Sequence, residues 1–272
     1  MPPGKEGDPA FRARALRTIT ANLHRLGAGA GSSRRQIHLV SYPRSGNTLV
    51  RRYFSLLQGR PQPSIYRGDV VSEATVPLTS ALQYVELVKT HRMPADRGDA
   101  IYIVRDGRNT TLSLLYMMFL FQGHRISGLH EVLDGLKLVD AEEGSWGDHV
   151  SWALRQAGDR RILFIRYEDL IRDPRGEIVR MARFAGTELP DEVVRDCVVL
   201  EKASSSYIRN PNNGYLYEPA PDTIYDLLKR HRREDYWHRI FDGAARRYFH
   251  ERGGTGPLLY FGYERSADWW QG

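Results

Sequence analysis

The feature that most constrains the fold is a short apolar run that leads into a glycine-containing turn and then into a helical pattern. Residues 37–40 predict a buried strand, and residues 43–46 predict a turn because they include proline and glycine. From Asn47 onward, apolar residues recur at helical spacing. Strand, loop and helix in this order predict an anion-binding unit in an α/β protein.

The loop between this strand and this helix supplies groups that bind anions. Backbone N–H groups of such a turn and the positive end of the helix attract phosphate, and Arg44, Ser45 and Thr48 add side-chain donors. The loop is not a Walker A sequence, because Asn47 stands where the Walker lysine would follow a glycine. We therefore predict a phosphate loop that differs from the standard ATP-binding type.

The wording of residues 42–48, Tyr-Pro-Arg-Ser-Gly-Asn-Thr, resembles the 5′-phosphosulfate loop of sulfotransferases that use 3′-phosphoadenosine 5′-phosphosulfate (PAPS). The usual wording of that family is Tyr, Pro, Lys, Ser, Gly, Thr, Thr, Trp, so this chain departs from it at three positions. The resemblance implies a catalytic, charge-stabilising role for Arg44. It also implies that the following residues bind the cofactor: Arg44, Ser45, Gly46, Asn47, Thr48 and Leu49.

A second predicted strand, at residues 82–88, leads into Lys89, Thr90 and His91. Ligands of open parallel sheets bind beyond the carboxyl ends of the strands, and a histidine can act as a general base near neutral pH. The three residues resemble the Lys-Thr-His segment of sulfotransferases, which implies that His91 takes the proton of the acceptor. A surface or capping histidine is the alternative interpretation.

Residues 100–104 form the clearest predicted strand, and a helical pattern follows at residues 110–121. Arg105 and Ser113 lie eight positions apart and match the 3′-phosphate residues of sulfotransferases. A guanidinium group beside a hydroxyl suits a phosphate dianion, provided that the turn folds the helix back beside the strand. The alternative is that Asp106 caps the helix and the arginines are solvated.

Two later segments extend the resemblance. Tyr167 follows a strand predicted at residues 161–166, and the family places this tyrosine near the adenine. The basic segment 229–237 is the nearest counterpart of the family's glycine-containing 3′-phosphate segment but lacks both glycines, so Arg230 either binds the cofactor or belongs to a charged helical face. Three further segments are predicted as loops that shape the acceptor pocket: residues 59–79, 123–144 and 204–221.

The resemblance implies an α/β three-layer sandwich with a mainly parallel central sheet, of the P-loop-like sulfotransferase type. We assign it to residues 36–272 and expect residues 1–35 to form an N-terminal arm and linker. The implied reaction moves the sulfuryl group from PAPS to a hydroxyl or amine of a small-molecule, sugar or natural-product acceptor. The product of the cofactor would be adenosine 3′,5′-bisphosphate.

The amino-acid composition argues against several other classes of protein. The single cysteine, Cys197, excludes an internal disulfide framework and a cysteine-rich zinc site, and no apolar run reaches membrane-spanning length, so a cytoplasmic protein without a metal site is expected. The net charge of +6 suits a polyanionic cofactor, while nucleic-acid motifs are absent, so no nucleic-acid partner is expected. The pattern leaves the oligomeric state open.

Two alternative functions would also use some of these residues. A P-loop-type kinase would use ATP and Mg²⁺, with Asp106 or Asp169 holding the metal. A non-catalytic phosphonucleotide-binding protein would keep the basic residues without needing His91.

Overall fold

The computed structural model describes residues 35–66, 77–92, 94–126, 129, 131–208, 228 and 237–272. The predicted N-terminal arm lies outside the described residues apart from Arg35, as do Arg230 and the basic segment before Trp237. The described residues divide into two compact units. Of the described residues, unit one contains those within 35–40, 46–102 and 161–208, and unit two those within 41–45, 103–160 and 228–272.

The sheet has four strands in the order β2-β1-β3-β4, which confirms the predicted α/β class with a mainly parallel sheet. In chain order they are β1 (Arg35–Ser41), β2 (Val85–Thr90), β3 (Ala100–Val104) and β4 (Ile162–Arg166). Strands β1 and β2 pair in parallel. Every residue of β3 is buried, as expected for a central strand of a parallel sheet covered on both faces.

The second strand differs from its prediction. It begins at Val85 and continues through Thr90, so Lys89 belongs to the strand instead of lying beyond its end. The strand extends this far because β2 pairs with β1 up to Thr90, and this backbone pairing does not depend on the polarity of the side chains. His91 is therefore the first residue after β2.

Ten helices are described, and a 3₁₀ turn at Trp269–Gln271 closes the chain. The helices are α1 (Asn47–Gln58), α2 (Gly107–Ile126), α3 (Val132–Glu143), α4 (Trp146–Gln156), α5 (Tyr167–Arg172), α6 (Pro174–Phe184), α7 (Asp191–Ile208), α8 (Trp237–Ile240), α9 (Gly243–Glu251) and α10 (Thr255–Tyr260). None of the described helices is long and apolar enough to cross a membrane.

Helix α1 anchors the start of the site in unit one. Val50, Phe54 and Leu57 share its buried face, as predicted, and each is fully buried. This face packs against α7, where the buried thiol of Cys197 donates to the carbonyl oxygen of Tyr53 at 3.6 Å. Helix α1 is thus fixed to α7 in the core of unit one.

The predicted loop at residues 123–144 is wrong. Helix α2 continues to Ile126 and α3 occupies Val132–Glu143, with Val132, Leu136 and Val139 buried on one face. The glycine that suggested a loop serves close packing, because a Cβ on Gly135 would lie 2.4 Å from Leu115 Cδ2.

The other two predicted loops are described only in part. Helix α7 extends to Ile208, which corrects the start of the loop at residues 204–221, and the remainder of that loop lies outside the described residues. Residues 67–76 of the first loop also lie outside them. Helix α6 begins as predicted, with Pro174 in its first turn and the Asp173 side chain accepting from Gly176 N at 3.0 Å.

Candidate active site

The loop after β1 is a tight turn with an arginine in an unusual conformation. Ser45 N donates to Tyr42 O at 3.3 Å, and Arg44 has a φ of 69°, in the left-handed region. This conformation costs a non-glycine residue roughly 1–2 kcal/mol, so the surrounding structure must hold it. Tyr42 helps to fix the loop in this conformation, because its buried hydroxyl donates to Gly144 O at 2.9 Å.

Three side chains predicted to bind phosphate converge in unit two. Arg44 Nε donates to Ser113 Oγ at 3.4 Å, and Arg105 Nη1 donates to Arg44 O at 3.3 Å. We call Arg44, Arg105 and Ser113 the phosphate cluster. The turn after β3 therefore folds α2 back as the sequence analysis required. Two guanidinium groups and a hydroxyl in this arrangement provide donors and positive charge for an anion.

The buried side chain of Arg108 stabilises the turn that contains Arg105. Arg108 is 1% exposed, lies 3.7 Å from the ring of Trp237, and pairs with the carboxylates of Asp106 and Glu264. Burial opposes its charge, but the hydrogen bonds and charges of the two carboxylates outweigh burial and raise the pKa of Arg108. Asp106 Oδ1 also accepts from Arg108 N at 2.9 Å. Asp106 is thus both a helix cap and an ion-pair partner.

In unit one, the start of α1 is a glycine covered by an aromatic ring. Gly46 has a φ of 106° and precedes the helix, and a Cβ on it would lie 2.4 Å from Tyr167 Cδ2. Tyr167, the first residue of α5, therefore lies directly against Gly46. The short helix α5 itself was missed from the sequence.

The residues that follow Gly46 differ in what they can offer a ligand. The side-chain amide of Asn47 donates to Leu39 O at 3.1 Å and ties the helix start to β1, which leaves its main chain as the binding group. Leu49 N donates to Gly46 O at 3.0 Å, and Thr48 is exposed. Most N–H groups in the first turn of a helix have no acceptor inside the helix and suit an anion, whereas Leu49 N is already bonded to Gly46 O.

His91 follows the end of β2, beside the end of β1. The parallel register places Val40 opposite Thr90, so β1 and β2 end together. His91 N donates to the hydroxyl of Tyr66 at 2.9 Å, and the two rings are 5.3 Å apart. Tyr66 was not among the predicted catalytic residues, and no local pattern at residues 59–79 could have shown that it reaches His91.

Comparison with known proteins finds similarity to sulfotransferases. The family model described as "Sulfotransferase domain" matches residues 34–251. The chain is 27% identical over 202 residues to Sulfotransferase 1 family member D1 of Rattus norvegicus, covering 66% of this chain and 68% of that protein. It is 25% identical over 236 residues to Sulfotransferase 1B1 of Canis lupus familiaris, covering 78% and 77%.

Two solved structures share the fold. The crystal structure of mouse sulfotransferase SULT7A1 complexed with PAP aligns with a TM-score of 0.55 and 17% identity, covering 93% of this chain and 96% of that one. The crystal structure of retinol dehydratase in complex with androsterone and inactive cofactor PAP aligns with a TM-score of 0.51 and 15% identity, covering 94% and 88%. At these identities the likeness is one of fold.

Proposed function

Because the chain belongs to the sulfotransferase domain family, we propose that it moves the sulfuryl group of PAPS to a hydroxyl or amine of a small-molecule acceptor. The observation that carries this proposal is the phosphate cluster, in which Arg44, Arg105 and Ser113 converge. These are residues that the resemblance assigned to the two anionic ends of one cofactor. We assign the activity to residues 36–272, in line with the matched range 34–251.

The residues fit the anionic groups of PAPS. Besides the phosphate cluster, the hydroxyl of Ser45 is fully buried and has no hydrogen-bond partner among the described residues, so it is a donor that a ligand could satisfy. The conformation of Gly46 opens the helix start, and Tyr167 lies against it. We propose that the cofactor is held by Arg44, Ser45, Gly46, Asn47, Thr48, Leu49, Arg105, Ser113 and Tyr167. Arg230 stays a prediction, because it lies outside the described residues.

PAPS supplies the transferable sulfuryl group when it is bound. His91 would accept the proton of the acceptor's hydroxyl as its oxygen attacks sulfur. Arg44 would stabilise the negative charge that develops on the departing phosphate. Since a guanidinium group does not readily release a proton, Arg44 acts through charge and hydrogen bonds and not as a general acid.

The surroundings of His91 support a narrower proposal for the acceptor. The ring of Tyr66 is 37% exposed and lies beside the imidazole, which favours an acceptor with a flat ring, such as a phenol. A sugar could also stack there, so a carbohydrate acceptor stays a prediction. The cytoplasmic location is likewise a prediction from composition.

The binding test is calorimetric titration with adenosine 3′,5′-bisphosphate in EDTA, repeated with ATP and Mg²⁺. We expect metal-free binding that Arg105→Ala weakens about 10- to 100-fold, since hydrogen bonds to charged groups contribute about 1.5–3 kcal/mol. Arg183→Ala is the matched control, because Arg183 is 62% exposed and pairs with Glu188 on the surface. Preference for ATP with Mg²⁺ would instead support the kinase, although Arg108 already occupies the carboxylate of Asp106.

A second variant separates an enzyme from a binding protein. His91→Ala should bind adenosine 3′,5′-bisphosphate like the wild type but lose transfer from PAPS to a panel of phenols that includes 4-nitrophenol. Unchanged transfer by this variant would remove His91 as the general base. Binding without transfer by the wild type, over phenols, sugars and amines, would favour the non-catalytic alternative.

A further inference from the structure

We propose that Tyr66 is the positioning residue for His91: its hydroxyl fixes the backbone of the base and its ring fixes the direction of the imidazole. The proposal rests on the proposed function, in which His91 is the general base. It adds a residue that lies 25 positions away in the chain and belongs to none of the motifs of the sequence analysis.

Tyr66 reaches His91 because residues 63–66 pair with the outer edge of β2. Lys89 N donates to Pro63 O at 3.0 Å, Ile65 N donates to Lys89 O at 3.1 Å, and Ser64 forms a parallel bridge with Lys89. Tyr66 N then donates to Ser64 Oγ at 3.1 Å, which turns the chain. The segment is thus a one-bridge extension of the sheet that ends opposite the last residues of β2.

Tyr66 contacts His91 directly, while the flanking residues Thr90 and Arg92 are hydrogen-bonded to each other. His91 N donates to Tyr66 Oη at 2.9 Å, and the rings lie 5.3 Å apart at an angle of 35°. Thr90 Oγ1 accepts from Arg92 N at 2.9 Å and donates to Arg92 O at 2.8 Å. Tyr66 therefore contacts both the backbone and the ring of His91.

The ring of Tyr66 also serves a neighbouring cation. Lys89 Nζ lies 5.4 Å from the centroid of this ring, within the range of a cation–π contact. The same tyrosine therefore contacts the first and third residues of the Lys-Thr-His segment. A change in the ring would disturb both side chains at the end of β2.

Burial does not explain why a tyrosine stands here. Tyr66 is 37% exposed and the adjacent Ile65 is 60% exposed, and a phenylalanine at position 66 would bury the same ring. What is specific about the residue is the hydroxyl, which accepts a backbone N–H that phenylalanine would leave without this partner. The positioning role is therefore separable from packing by one substitution.

The first measurement is amide hydrogen exchange of His91 by NMR in the full chain. Tyr66→Phe removes the acceptor and keeps the ring, and we expect exchange at this amide to accelerate about 3- to 10-fold, the equivalent of one neutral hydrogen bond. Tyr84→Phe is the matched control, because Tyr84 is 43% exposed in the same unit. Unchanged exchange at His91 in Tyr66→Phe would overturn the proposal.

The second measurement separates positioning from binding. With PAPS and the best phenol of the acceptor panel, Tyr66→Phe should lower kcat about 3- to 10-fold and Tyr66→Leu by more, with the KM for PAPS unchanged. Equal kcat for wild type, Tyr66→Phe and Tyr66→Leu would refute the role. A rise in the KM for PAPS with normal kcat would assign Tyr66 to cofactor binding instead.

His91→Ala distinguishes failure of this proposal from failure of the proposed function. If His91→Ala keeps wild-type turnover, the general base is misassigned, whatever Tyr66 does. If His91→Ala is inactive while Tyr66→Phe is silent in both exchange and kcat, the proposed function stands and only the positioning role fails.

Discussion

Gly46→Ala tests whether the ring of Tyr167 packs directly against the start of α1. Gly46 has a φ of 106°, and a Cβ would meet Tyr167 Cδ2 at 2.4 Å and Cε2 at 2.9 Å. The backbone conformation alone costs an alanine about 1 kcal/mol. Displacing a packed ring adds about 1–3 kcal/mol. We expect a total loss of stability of about 2–4 kcal/mol, or roughly 5–15 °C in the melting temperature of a chain of this size.

The assay is urea unfolding, together with calorimetric titration of adenosine 3′,5′-bisphosphate. Gly262→Ala supplies the matched control, because Gly262 has a φ of 70° but nothing within 4 Å of the added Cβ, so only the backbone cost of about 1 kcal/mol applies. In a Tyr167→Ala background, Gly46→Ala should likewise cost only about 1 kcal/mol. Equal losses for Gly46→Ala with and without the tyrosine ring would refute this reasoning. We also expect Gly46→Ala, but not Gly262→Ala, to weaken nucleotide binding.

Three other expectations concern the scaffold of the site. Arg108→Met should lower the free energy of unfolding by about 3–5 kcal/mol, because it strands two buried or half-buried carboxylates, and urea titration measures this loss. Asp173→Ala should cost about 1 kcal/mol in the same titration through loss of the α6 cap. Burial, aided by the charge of Glu201, raises the pKa of the Cys197 thiol, so alkylation at pH 8 should require unfolding. Since the folded value lies above the unfolded one, this thiol's contribution to stability is complete below about pH 8.5 and is lost at higher pH, which a Cys197→Ala comparison across pH 8 to 10 would detect.

The sequence predicted the elements whose pattern is local. Strand β3 was predicted with its observed bounds because it is a continuous apolar run that ends at charged residues, and the face of α1 followed from its spacing. Helix α3 was missed because Gly135 looks like a helix breaker in a single sequence. In the fold it lets α3 approach Leu115 on α2. Close packing between distant residues leaves no local signature that distinguishes such a glycine from one in a loop.

In the candidate site, too, some residues could be predicted from local sequence patterns and others could not. Residues of the phosphate cluster were predicted because each stands at the end of a recognisable strand or in the helix after it, and the structure brings Arg44 and Ser113 together across 69 positions. Tyr66 could not be predicted, because its contact with His91 depends on a single bridge between Ser64 and Lys89. Which segment pairs with the edge of a sheet is decided by tertiary structure and not by the composition of the segment.

At Arg44 the chain has an arginine where the family motif has a lysine. The contacts of Arg44 indicate what this replacement changes. A lysine presents one ammonium nitrogen with three N–H donors, a compact point charge. An arginine presents a planar fork of donors, and here its Nε donates to Ser113 Oγ. The residue that the resemblance assigns to the phosphosulfate thus also contacts the residue assigned to the 3′-phosphate. The left-handed backbone of Arg44 is the conformation in which the structure makes this contact, at a cost of roughly 1–2 kcal/mol.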